Sequence, residues 1–162
     1  MRAYELVEGS GLGTIALRTR PSPQPGAGEV VVAVVHNPSK SGRFDPETRA
    51  DLIRASLAAD ERTRDAENIS IDVVPGGLLV DYCAKIGAPA VVKGLRSGTD
   101  FAYELPMALM NKHLTDLETI FVPGNPEFEH VSSSLIKEVH RHGGDITGLV
   151  PEPVLAALSA DT

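Results

Sequence analysis

The stretch Val131-Ser132-Ser133-Ser134 opens an amphipathic segment, and its three hydroxyls fall where a helix start presents unpaired N–H groups. Such a start attracts an anion; a plain helix cap would need only one of the serines. A second cluster, Lys93-Gly94-Leu95-Arg96, directly follows the apolar run Ala90–Val92. Two cations flanking a glycine at the carboxyl end of a strand suit a polyphosphate, although a solvated turn uses the same residue types. Pro38-Ser39-Lys40 follows another apolar run and sets a further lysine at the same end of a sheet. Exposed lysine is ordinary, so Lys40 alone decides little. Three such clusters at one sheet edge point to a phosphate-bearing ligand.

Other residue types are less telling. Glu104 can hydrogen-bond a ribose or simply face solvent. His36, His113, His130, His140 and His142 show no zinc-like spacing, and His140 and His142, two apart, point in different helical directions. No metal ligands are assigned. Cys83 lies on an apolar face and reads as a core residue. Gly9-x-Gly11-x-Gly13 has no strand before it and no Lys-Ser or Lys-Thr after it, so it reads as a loop rather than a phosphate-binding loop or a dinucleotide fingerprint.

The elements that must position these residues alternate. TIALRT (14–19) alternates as a short strand, and EVVVAVV (29–35) is the unbroken β-branched run of a strand buried on both faces. Asp45-Pro46 signals a helix start, with Ala50, Ile53 and Leu57 as its apolar stripe. ISIDVV (69–74) reads as a strand. Leu79, Tyr82, Cys83 and Ile86 follow i, i+3, i+4, i+7 spacing as a buried helical face, stopped by Gly87. AVV (90–92) is expected as a buried strand and 100–114 as a helix kinked by Pro106. ETIFV (118–122) is the next strand, followed by helices over 132–142 and 151–159. This order means an α/β domain with a mostly parallel sheet, in which ligands bind beyond the carboxyl ends of the strands.

Composition adds bounds. The 162 residues suit one domain with its own core. One cysteine excludes a disulfide scaffold and fits a reducing, cytoplasmic setting. No apolar run nears the ~20 residues of a membrane span, and MRAYELVEGSG shows no signal-peptide pattern. A net charge of -7 argues against nonspecific nucleic-acid binding. The composition is also uneven. Of the 15 glycines and 12 prolines, 8 lie within residues 1–28, and the first 36 residues balance three acids against three arginines. The expected division is an atypical segment over 1–28 and a principal domain over 29–162.

Four stretches carry a resemblance: EVVVAVVHNPSKSGRF (29–44), GGLLVDY (76–82), VVKGLRSGTDFAYELPMALMNKHL (91–114) and HVSSSLIKEVHRHGGDITGLVPEPV (130–154). Together they resemble bacterial phosphopantetheine adenylyltransferase over residues 29–158. The resemblance implies a Rossmann-like nucleotidyltransferase fold, a parallel sheet with helices on both faces, assembled as a hexamer. It implies AMP transfer from ATP to 4′-phosphopantetheine, with Mg2+, giving dephospho-coenzyme A and pyrophosphate in coenzyme A biosynthesis. By motif, Lys40 and Arg96 would be the catalytic cations. Lys40, Leu79 and Lys93 would bind the pantetheine substrate. Gly94, Leu95, Arg96 and Glu104 would contact ATP, together with Phe128, Glu129, His130, Val131, Ser132, Ser133 and Ser134. The other reading is a non-catalytic module that binds nucleotide or coenzyme A.

The family pattern fails at the front. Members begin with a buried strand and a PGSFDPxTxGH segment leading into a helix, and nothing in residues 1–28 reproduces it. The first strand–helix unit is therefore replaced, and no catalytic histidine is assigned. MRAYEL...R.RPSPQPGAGEVVV (1–32) is instead similar to the amino terminus of medium-chain, zinc-type dehydrogenases and quinone reductases. The two resemblances meet in GEVVVAVV, a run either family can supply.

Overall fold

The computed structural model describes residues 2–6, 15–19, 28–36 and 42–160. Lys40 with Pro38-Ser39, the Gly9-x-Gly11-x-Gly13 run and the prolines of 21–25 lie outside the described residues. The chain divides into two compact units, residues 1–30 and 31–162.

In the first unit β1 (Arg2–Leu6) pairs antiparallel with β2 (Ile15–Thr19), Arg2 opposite Thr19 and Leu6 opposite Ile15. β2 is the alternating segment seen in the sequence. β1 is not signalled, because RAYEL carries charges at two of five positions and has no bounding turn residues.

In the remainder, β3 (Val30–Val35) is hydrogen-bonded to β4 (Ile69–Val74), and the His36 N–H donates to the Val74 carbonyl at 2.9 Å. β5 (Ala90–Leu95) pairs in parallel with β6 (Glu118–Pro123). The helices are α1 (Pro46–Ala59), α2 (Leu79–Ile86), α3 (Gly98–Thr115), α4 (Ser133–Arg141) and α5 (Glu152–Ala160). The architecture is α/β, with parallel strands flanked by helices.

Local chemistry explains the helix ends. Asp45 caps α1, accepting from the Thr48 N–H at 2.8 Å and the Thr48 hydroxyl at 3.0 Å, with Pro46 at the first helical position. Gly87 ends α2 in the left-handed region at φ 69, which costs glycine little. α3 runs unbroken through Pro106. Behind α4, Gly144 packs so closely that a Cβ there would meet Val139 Cγ1 at 2.5 Å.

Besides Val34, Ala50 and Val74, the buried hydrophobic residues form two clusters. Val80, Cys83 and Leu117 form one, joined by Leu79, Ala88 and Val91. Ile136, Ile146 and Leu158 form the other, joined by Phe44 and residues of α4, α5 and the segment between them. The expected stripe on α2 is shifted by one position: Val80 and Cys83 are buried while Ile86 is exposed. Tyr82 lies to one side, where its O–H donates to Asp72 Oδ2 at 2.8 Å, the partner a half-buried phenol requires.

β5 also departs from expectation. It extends to Leu95, because the ladder with β6 continues through Gly94 opposite Val122 and Leu95 opposite Pro123. One face of the β5–β6 pair is covered by α3, where Phe101 and Phe121 stack edge to face at 5.3 Å. The other face is not buried. Val92 is 65% exposed, and its neighbours Ile120 and Val122 are exposed with it, so the AVV run is covered on one side only.

Ile146, 1% exposed, should dominate the second cluster. Ile146→Ala is expected to lower unfolding free energy by ~2–5 kcal/mol in urea melts, whereas Leu135→Ala, 43% exposed, should shift it by less than ~0.5 kcal/mol.

Candidate functional site

The β5–β6 register decides which groups meet at the carboxyl end of the pair. Leu95 lies opposite Pro123, and the Gly124 N–H donates to the Leu95 carbonyl at 2.7 Å. A Cβ on residue 124 would sit 3.3 Å from that carbonyl oxygen, so glycine permits the close approach. The chain then turns through a short 3-10 helix (Pro126–Phe128), capped by the Asn125 side chain, and reaches α4.

Arg96 follows β5 and bridges this end. Its Nη1 donates to the Val131 carbonyl at 2.7 Å, one residue before Ser132. Ser132 is the N-cap of α4 and accepts from the Leu135 N–H at 3.2 Å, while Ser133 and Ser134 occupy the exposed first turn. The lysine–arginine strand end and the serine-opened helix are thus brought together. Lys93, Gly94 and Leu95 lie within the strand rather than in a loop after it, and only Arg96 follows it.

Lys93 and Glu104 meet in a partly buried ion pair, Nζ to Oε2 at 2.5 Å. Leu79 packs against the Val80, Cys83 and Leu117 cluster at the start of α2. Glu129 and His130 are exposed beyond the 3-10 turn, and Phe128 faces elsewhere. It lines a cavity of about 870 Å3 with Leu52, Ile53 and Leu57 of α1 and residues 148–154. Lys93, Arg96, Glu104 and the three serines do not line that cavity, so it is a separate apolar feature.

One further residue, Asp100, belongs to this site although its residue type assigns it no role. Asp100 accepts from Arg96 Nε at 3.0 Å and from the Arg96 backbone N–H at 3.1 Å. Ser97-Gly98-Thr99-Asp100 has the S-x-x-D form of a capping box, the signal that could have marked it. The Ser97 hydroxyl does cap the Asp100 N–H, at 3.3 Å.

No family model matches the chain. Curated relatives do. Over 130 residues, covering 80% of each chain, it is 49% identical to a protein of Kocuria rhizophila named phosphopantetheine adenylyltransferase. It is 46% identical over 130 residues to the protein of that name from Micrococcus luteus, covering 80% of this chain and 79% of the other. With the Bifidobacterium longum protein of the same name it shares 44% over 131 residues, covering 81% and 76%.

The hydrogen bonds from Arg96 to the Asp100 carboxylate hold its pKa below the ordinary 3.8. A depressed folded-state pKa adds stability that is present above the unfolded value and is lost as acid protonates the group. An NMR titration should therefore place the Asp100 midpoint below 3.8, and Arg96→Ala should move it upward.

Proposed function

The chain belongs to the phosphopantetheine adenylyltransferase family, and from that premise we propose that it transfers AMP from ATP to 4′-phosphopantetheine in coenzyme A biosynthesis. The observation that carries this reading is the junction made by Arg96. It links a strand end bearing Lys93 to the serine-opened start of α4, a place suited to a triphosphate.

In this reading a phosphate oxygen of 4′-phosphopantetheine attacks the α-phosphorus of ATP. The new P–O bond forms as the bond to the bridging oxygen breaks, and pyrophosphate leaves with the electron pair. Dephospho-coenzyme A is the product, and no covalent enzyme intermediate forms. The chain aligns the two phosphates and offsets the charge that develops.

Lys40 and Arg96 are the proposed catalytic cations. Leu79 lines the pantetheine arm, and Lys93 contacts the pantetheine phosphate while shared with Glu104. Gly94 and Leu95 approach ATP, with Glu104 on its ribose or adenine side. Residues 129–134 cradle the phosphates, with Phe128 turned to the apolar cavity before them. Magnesium enters as the counter-ion of the ATP phosphates. Among the described residues no three His, Cys, Asp or Glu side chains group as a metal site, and Asp100 and Glu104 already hold cations. In this reading the chain offers cations and backbone amides to the phosphates.

The proposed assembly is a homo-oligomer, a hexamer by the family resemblance, working in the cytoplasm without nucleic acid or membrane. Among the described residues no helix is long and apolar enough to cross a membrane. Tyr103, Met107, Met110 and Leu114 support the oligomer, since they form an exposed apolar line along α3 at helical spacing. Light scattering should find a multimer that Met110→Lys dissociates.

The front segment sets the expected rate. The TxGH/HxGH segment has no counterpart in residues 1–28, and one preorganised donor is typically worth ~10²–10³ in rate. Pyrophosphate release with ATP, magnesium and 4′-phosphopantetheine should run at least that far below ordinary members, and a normal turnover number would refute this. The same retained anion groups favour a second reading, a binding module without turnover. Calorimetric uptake of ATP or coenzyme A with no pyrophosphate release would select it. We further propose that residues 1–32 derive from a dehydrogenase-like amino terminus joined at GEVVVAVV. Sequencing codons 25–40 of the source DNA separates a continuous fusion from a misjoined frame.

A further inference from the structure

Each guanidinium nitrogen of Arg96 donates a hydrogen bond within the chain, while the group stays 43% exposed. Its Nε donates to Asp100 Oδ2 at 3.0 Å and its Nη2 to Asp100 Oδ1 at 3.3 Å, while its backbone N–H reaches the same carboxylate at 3.1 Å. Nη1 is left to donate to the Val131 carbonyl at 2.7 Å. Asp100 is fixed in turn, because its N–H is held by the Ser97 hydroxyl in the first turn of α3. A two-point carboxylate–guanidinium contact sets the plane of the arginine as well as its place. Exposed ion pairs stabilise a fold little, so stability alone gives this arrangement small value.

We infer that Asp100 is a positioning residue for the nucleotide site: it aims Arg96 so that one guanidinium joins the end of β5 to the start of α4. The inference rests on the adenylyltransferase reading for its ligand. Its sign is unusual. A carboxylate beside a triphosphate repels it, so a bystander Asp100 weakens ATP binding, and removing its charge would tighten that binding. A positioning Asp100 does the opposite, because its loss releases Arg96 and the first turn of α4.

The experiment compares the full chain with Asp100→Asn and with Asp60→Asn, which breaks the exposed Asp60–Arg62 pair elsewhere. ATP binding is measured by calorimetry at low salt. Asp100→Asn should weaken binding about tenfold and Asp60→Asn should leave it unchanged. Unchanged or tighter binding in Asp100→Asn overturns the inference. Hydrogen exchange without nucleotide supplies a second reading, since the Leu135 and Ile136 amides bond to Ser132. They should exchange severalfold faster in Asp100→Asn than in the other two proteins, and equal rates overturn the inference. If the unmodified chain takes up no ATP, the adenylyltransferase reading falls and the exchange rates alone decide the role of Asp100.

Discussion

The parallel ladder between β5 and β6 fixes which side chains can meet at its carboxyl end. A slip of one residue would turn Lys93 from the α3 side to the exposed side and separate it from Glu104. The same ladder brings Gly124 against the Leu95 carbonyl, which sets where the chain turns toward α4. Arg96 then spans the remaining gap to Val131. Strand register, one glycine and one guanidinium together locate the serine helix start, and everything read as chemistry at this site depends on them.

Much of this frame was legible in the sequence. The β-branched run of 30–35 and the alternation of 69–74 marked β3 and β4, although only Val34 of β3 is buried rather than both its faces, and Asp45-Pro46 marked the start of α1. What was not legible came from tertiary partners. β5 reads as three residues but has six, since pairing with β6 outweighs the turn tendency of Gly94. The apolar spacing on α2 is real, yet the phenol of Tyr82 turns to Asp72, and Val80 takes the buried place instead. At the site, Lys93, Arg96 and Ser132 stood out as residue types. Their mutual engagement with Glu104 and Asp100 did not, because it requires knowing that α3 lies beside β5.

The strand pairs also leave apolar surface uncovered. Among the described residues, β3 pairs with β4 and β5 pairs with β6, each as a two-stranded unit. Val92, Ile120 and Val122 stand exposed on one face of the second pair, where an α/β domain usually lays a helix.

Cys83 has a consequence of its own. The thiol is buried with Val80 and Leu117, and burial pushes its pKa up, so at neutral pH it is neither accessible nor ionised. It is the only cysteine in the chain. Its reaction with a thiol reagent consequently clocks the opening of one core cluster, the one under α2, and is blind to the cluster around Ile146. The fold thus carries a built-in stopwatch for one of its core clusters.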